Sequence, residues 1–367
     1  MTPFAEAAAA KLSRGGRLDP DEALALYEHN DLLLLAALAR AAKERQSGRD
    51  VYFNVNRHIN LTNICAARCP LCAFGRGRDD AGAYVMDREE VVAVARRAAD
   101  ESPDLSEIHM VSALHPDKPF AYYLDIVAAV RATLPGIHIK AFTPVEICHF
   151  AAVSGLPIDE VLRALKAAGL GSLPGGGAEV LDDAIRGVIC PRKASSAQWT
   201  EVVKAAHRLG IPTNASLLYG HIETPRQRIE HLCKLRAIQD ETGGFQAFVA
   251  FPFHPDNTGL PQLARVGAWE DLKMVAIARL VLDNFAHIKA FWMMLTLPVA
   301  QLALAFGADD LDGTVAEEKI IHAAGAKTGT SIAREDIVAI IREAGYVAVE
   351  RDTFYNSRRV WGTSDNG

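Results

Sequence analysis

The chain is short of cysteine: six among 367 residues, far too few for a disulfide scaffold. It is short of basic charge as well. Thirty-nine lysines and arginines against 45 acidic residues leave a net charge of −6, so the overall basic footprint of a nucleic-acid binder is missing. The first residues, Met1-Thr2-Pro3-Phe4-Ala5-Glu6, lack the basic stretch and apolar run of a secretory signal. One uncharged run, Ala290–Ala308, reaches the minimum length for a membrane span. Pro298 interrupts it and Gln301 follows, so it is read as a buried strand, Phe291–Leu295, and a short packed helix, Gln301–Phe306, with no membrane span. Polar low-complexity tracts and long linkers are absent too. With half of the residues apolar, the composition excludes a disordered chain and allows a large core.

Alternation of strand and helix fills the chain instead. Residues 5–48 are rich in Ala and Leu and read as helical, with Asp19 and Glu22 as a capping box and Pro20 at a first helical position. The candidate strands are Arg57–Asn63, Glu107–Ala113, Ile137–Thr143, Gly169–Leu173, Thr213–Tyr219, Gln246–Phe253 and Ile288–Leu295, with a last extended piece at Val347–Arg351. Helical patterns lie between them, at Asp87–Asp100, Ile158–Ala168, Ser196–Leu209, Thr224–Glu241 and Trp269–Asn284. Strands separated by helices predict a parallel sheet. Seven or eight such units predict an α/β fold of TIM type, a (β/α) barrel complete or partial, with an N-terminal helical extension. The expected layout is an extension over residues 1–50, a barrel over 51–355 and a polar, frayed tail over 356–367. Barrel sites form at the C-terminal ends of strands. The segments Asn63–Cys72, Ser112–Pro116, Pro174–Glu179, Tyr219–Glu223 and His254–Thr258 all fall there, which points to one shared site.

Three of the six cysteines stand together. Cys65, Cys69 and Cys72 form C-x-x-x-C-x-x-C directly after the first barrel strand. Thiolates are soft ligands that suit zinc or iron–sulfur clusters. A structural zinc wants four protein ligands, and only His58, back in the strand, could be the fourth. Three cysteines can hold three irons of a 4Fe–4S cluster and leave one iron open. Buried, unliganded cysteines are the remaining reading. Cys148, Cys190 and Cys233 are scattered and read as incidental.

This motif, after the first strand of a β/α barrel, resembles the radical S-adenosylmethionine (SAM) superfamily. The resemblance implies that the open iron chelates SAM, and that the reduced cluster cleaves the sulfonium to a 5′-deoxyadenosyl radical. Asn60-Leu61-Thr62-Asn63-Ile64-Cys65 and Cys72-Ala73-Phe74 resemble the branch that handles futalosine and deazaflavin intermediates. Within it, Lys140–Ile147, Ser172–Glu179, Leu218–Thr224 and Thr242–Thr258 most resemble aminofutalosine synthases. The implied reaction adds the adenosyl radical to the enol ether of 3-[(1-carboxyvinyl)oxy]benzoate, an aromatic dicarboxylate. The aryl group then migrates and CO2 leaves, giving aminofutalosine for menaquinone synthesis. SAM is thus a consumed co-substrate, the enzyme is a transferase, and an electron donor such as flavodoxin or ferredoxin is implied. The alternatives are a cyclic dehypoxanthinylfutalosine synthase, an enzyme like FO synthase, or a zinc-binding barrel without chemistry.

The resemblance implies a set of contacts. Cys65, Cys69 and Cys72 hold the cluster; Leu71 walls the adenine; Glu179 accepts the ribose hydroxyls; Arg186 meets the SAM carboxylate. Ser112 and Ala113 replace the family's glycine pair near the SAM amino group, where any positive φ would be costly for them. His115, His221, His254 and Asn257 are the candidates for the substrate carboxylates. Plainer roles compete: a hydrogen-bonded pair for His221 with Glu223, a loop cap for His254, a helix start for Glu179, and a turn for Pro174–Gly177. His109 and His138, inside strands, read as satisfied core histidines.

Overall fold

The computed structural model describes residues 3–362. Three helices come first: α1 (Pro3–Ser13), α2 (Pro20–Glu28) and α3 (Leu32–Ser47). The capping box forms as its residues require, Asp19 accepting the Glu22 N–H and the Glu22 carboxylate accepting the Asp19 N–H. Leu26, Tyr27, Leu35 and Ala39 are buried in the same apolar core as Phe248, Met274 and Leu280, so these helices pack onto the barrel rather than standing beside it.

Ten strands follow: β1 (Asp50–Asn54), β2 (Asn56–Asn60), β3 (Glu107–Val111), β4 (His138–Ala141), β5 (Thr213–Tyr219), β6 (Phe245–Pro252), β7 (His287–Lys289), β8 (Asp310–Gly313), β9 (Val347–Arg351) and β10 (Ser357–Trp361). One sheet runs β10-β9-β1-β8-β7-β6-β5 and a second runs β2-β3-β4. Parallel bridges connect them at both seams: Lys140 with Ser172 and Leu173 with Thr213 on one side, Arg57 with Ala316 on the other. The result is an α/β barrel of TIM type, with Ser172–Leu173 as a two-residue stave. All seven residues of β5 are buried, as expected of a parallel strand covered on both faces. Gly169, with φ 118°, ends the helix Ile158–Ala168 and turns the chain into that stave.

Several expectations change. Phe291–Leu295 is not a strand. β7 is short, and Trp292–Leu295 makes one helical turn whose Trp292 indole donates to the Gly313 carbonyl at 3.0 Å. A wholly apolar run carries no period to separate the two states. The chain after Tyr355 is not frayed where it is described: Ser357–Trp361 pairs antiparallel with β9. Residues 363–367 of the expected tail lie outside the described residues. β8 was not anticipated, because Asp-Leu-Asp-Gly has the composition of a turn; its carboxylates are paired inside the barrel, Asp310 with Arg351 and Asp312 with Lys289. Among the described residues no helix is long and apolar enough to cross a membrane.

Candidate active site

The cysteine loop is held by its backbone. The Cys65 N–H donates to the Arg76 carbonyl at 2.9 Å, Ala66 to Leu114 at 2.8 Å, and Cys72 to Cys69 at 3.0 Å. The Gly259 N–H donates to the Pro70 carbonyl at 2.8 Å, which fastens the loop to the one after β6. Arg68 takes the left-handed φ of 42° that turns the chain between the first two cysteines. Cys69 is buried, while Cys65 and Cys72 are half-buried and face a central cavity of about 350 Å³. Burial pushes the Cys69 thiol up to about 12, so metal coordination must supply the stabilisation of its thiolate.

Ser112 and Ala113 line the same cavity at the end of β3, and neither has a positive φ, so the strain feared for non-glycine residues there does not arise. The Ser112 hydroxyl has no hydrogen-bond partner among the described residues. Its N–H donates to Glu146 at 2.8 Å, and the other carboxylate oxygen of Glu146 accepts the Thr143 N–H at 2.7 Å. Burial pushes the Glu146 carboxyl up to about 7, although these hydrogen bonds pull the other way.

In the Pro174–Gly177 turn, a side chain at Gly175 would meet the Asn214 backbone at 2.5 Å, and Gly177 has φ 82°. The Arg186 guanidinium is buried beneath this turn. It donates to the Gly177 carbonyl at 3.3 Å and more closely to those of Ala178 and Ala194. Arg186 is therefore a clamp on backbone and does not line the cavity, contrary to the expected contact with SAM. Glu179, with φ 48°, does line it, paired with Lys193 at 2.6 Å. Burial opposes the Glu179 charge, and Lys193 outweighs it, holding the carboxyl below its usual range. Leu71 is also on the cavity wall.

Of the four polar residues expected to meet substrate, only His254 faces the cavity, its Nε2 lying 3.1 Å from the Met294 carbonyl. His115 is buried at a turn, its Nδ1 accepting the Asp117 N–H at 3.1 Å. His221 pairs with Glu223 at 2.8 Å, and Glu223 in turn holds Arg228 at 2.7 Å, so the plainer reading applies. Asn257, with φ 59°, donates to the Ala323 carbonyl at 3.1 Å and ties the loop after β6 to the short helix Ile320–Ala323.

The floor of the cavity carries polar residues to which the sequence reading gave no part in binding substrate. His58 and His109 both line it, from neighbouring strands. Lys289 and Asp312, an ion pair, line it as well. Below sits a second pair, Lys140 with Glu107 at 2.8 Å. His138 is satisfied, its Nε2 2.8 Å from the Ser172 hydroxyl, as expected of a core histidine; His109 is not, since its Nε2 has no partner among the described residues. A signal was present: Ile108-His109-Met110, Ile139-Lys140-Ala141 and Ile288-Lys289-Ala290 each set one polar residue between apolar ones within a strand or at its end.

The donor set can be weighed against the group it suggests. Among the described residues, no three His, Cys, Asp or Glu side chains converge as ligands of one ion would. In a 4Fe–4S cluster each thiolate takes a different iron, so three cysteines on one loop fit such a cluster with its fourth iron open, whereas a structural zinc wants four protein ligands.

Residues 59–235 match the Radical SAM superfamily, and residues 242–363 match the CofH/MqnC C-terminal region. Over 98% of its length the chain is 44% identical to the aminodeoxyfutalosine synthase of Thermus thermophilus, covering 96% of that protein. The chain belongs to the radical SAM superfamily. This radical SAM protein is thus an enzyme that works with a 4Fe–4S cluster and SAM. It is also 39% identical, over 89% of each chain, to a Methanothermobacter thermautotrophicus protein named 5-amino-6-(D-ribitylamino)uracil–L-tyrosine 4-hydroxyphenyl transferase. Among solved structures it resembles methylornithine synthase, with a TM-score of 0.72 at 16% identity, over 92% of this chain and 96% of that one, a likeness of fold.

Proposed function

We propose that this radical SAM enzyme is an aminofutalosine (aminodeoxyfutalosine) synthase, transferring the 5′-deoxyadenosyl group of SAM to 3-[(1-carboxyvinyl)oxy]benzoate with loss of CO2, in menaquinone synthesis. The observation that carries this reading is the near-full-length similarity to a protein of that name. The cavity agrees with it, since Val249, Phe251, Phe253 and Phe291 offer apolar walls for an aromatic ring above a polar floor.

Cys65, Cys69 and Cys72 hold three irons of the cluster. When bound, the cluster and SAM supply a one-electron cleavage of the sulfonium that delivers the 5′-deoxyadenosyl radical. The chain's own task is position and exclusion of water. Leu71 packs on the adenine, Glu179 accepts from the ribose hydroxyls, and the Ser112–Ala113 segment, braced by Glu146, meets the amino acid end of SAM. Lys193 takes the place expected of Arg186 as the cation facing the cavity. His254 contributes to the substrate wall, while Arg186, His115, His221 and Asn257 shape the loops. A flavodoxin or ferredoxin in a reducing cytoplasm supplies the electron.

The test is anaerobic reconstitution, followed by incubation with reductant, SAM and the carboxyvinyl benzoate. Aminofutalosine is the expected product, and its absence from protein with a full complement of iron defeats the assignment. A second reading, tyrosine 4-hydroxyphenyl transfer, is favoured by the 39% identity to the Methanothermobacter protein; turnover of tyrosine with the ribitylaminouracil would select it.

A further inference from the structure

His58, buried, and His109, half-buried with its Nε2 enclosed, stand out among the polar groups of the interior. They face one another in register on the parallel strands β2 and β3, with ring centroids 4.4 Å apart. His58 is 5% exposed, and both of its ring nitrogens lack a hydrogen-bond partner among the described residues, as does Nε2 of His109. Other strand histidines are spent: His138 on Ser172, and His287 on Asp309 at 3.0 Å. Leaving buried donors unpaired is costly, and native proteins retain such groups where a ligand or a function uses them. The nearby cations are not free for that purpose, since Lys140 is paired with Glu107 and Lys289 with Asp312.

Burial holds both imidazoles neutral, His109 further depressed by His58 beside it, so each presents one N–H. His109 lies three residues below Ser112, a depth of about 10 Å along a strand. A benzoate ring spans much of that depth, with its enol ether toward the rim and its carboxylate toward the floor.

We propose that His58 and His109 form the carboxylate seat of the substrate cavity, each donating one ring N–H to the carboxylate on the benzoate ring. The proposal rests on the reading of the reaction given above and deepens it by assigning the substrate's fixed end. It makes these two histidines binding residues for the ring carboxylate, and so determinants of which aromatic acid is accepted.

Equilibrium binding to the reconstituted holoenzyme with SAM tests it, using 3-[(1-carboxyvinyl)oxy]benzoate and its ring methyl ester as probes. His58→Phe and His109→Phe should each weaken binding of the acid at least about tenfold, while affinity for the ester changes little. The same variants should keep or raise the melting temperature of the ligand-free protein, because an unpaired donor gives way to an apolar ring. His109→Asn, which retains a donor, should recover part of the affinity. Wild-type affinity in both Phe variants, or equal losses for acid and ester, would overturn the carboxylate seat. A wild-type protein that fails to bind the acid at all would instead overturn the assigned reaction, and the seat with it.

Discussion

The rim of the barrel and its floor are built in different ways. At the rim, Cys65, Leu71, Cys72, Ser112 and Glu179 stand on loops whose backbones are hydrogen-bonded to one another, and their side chains are left facing the cavity. At the floor, the side chains bond to each other: Lys140 with Glu107, Lys289 with Asp312, Arg351 with Asp310. Rim side chains can therefore be given to a cofactor without loosening the fold. Floor side chains carry charge in a buried layer and serve stability as well as recognition. His58 and His109 are the exception at the floor, polar and unspent.

The largest separation should come from the cysteines. Cys65→Ala, Cys69→Ala and Cys72→Ala should each abolish cluster assembly and all turnover, read by iron analysis and product assay. Each should cost only about 1 kcal/mol in stability, since backbone bonds hold the loop. Unfolding of any of these variants at ordinary temperature would erase the distinction.

Lys140→Met should do the reverse. It leaves the buried Glu107 carboxylate with Thr353 alone, at 2.7 Å, so urea unfolding should show a loss of about 3–5 kcal/mol. A loss below about 1 kcal/mol would mean that the floor pair is no more structural than a surface one.

Glu146 braces the rim, bridging the ends of two strands through Ser112 and Thr143, and its effect should be smaller and dependent on pH. Folding raises its carboxyl from 4.5 to about 7, so the folded state favours the protonated form. The sign follows: the stabilising contribution is complete below pH 4.5 and is lost as pH rises through about 7, by about 3 kcal/mol if the shift is fully expressed. Glu146→Gln should flatten the melting temperature across that window. An unchanged slope would show that another group sets it.

The same division governs what could be read before the structure. The cysteine spacing, the glycine turn and the strand-end segments are local patterns that carry the family resemblance, and Leu71, Ser112, Ala113 and Glu179, the residues it pointed to, all line the cavity. Arg186 was misplaced because a charge in sequence does not say whether backbone carbonyls or solvent will receive it; here three carbonyls do. His221 was claimed by Glu223 two residues away, and Asn257 by the Ala323 carbonyl, a partner 66 positions distant. The floor was nearly invisible because its residues are scattered one or two to a strand, and only closure of the barrel, including the Arg57–Ala316 seam, brings them together. β8 shows the limit most clearly, since Asp310 and Asp312 look like a turn until Arg351 and Lys289 are placed opposite them.

The most direct measurement is a competition in one vessel. Reconstituted enzyme, reductant and SAM are offered 3-[(1-carboxyvinyl)oxy]benzoate together with tyrosine and the ribitylaminouracil, and the products are read by mass spectrometry. Aminofutalosine, formed in step with SAM consumption, is the expected outcome. A tyrosine-derived adduct in its place, or SAM cleavage with no aminofutalosine from a fully iron-loaded protein, would contradict the assignment.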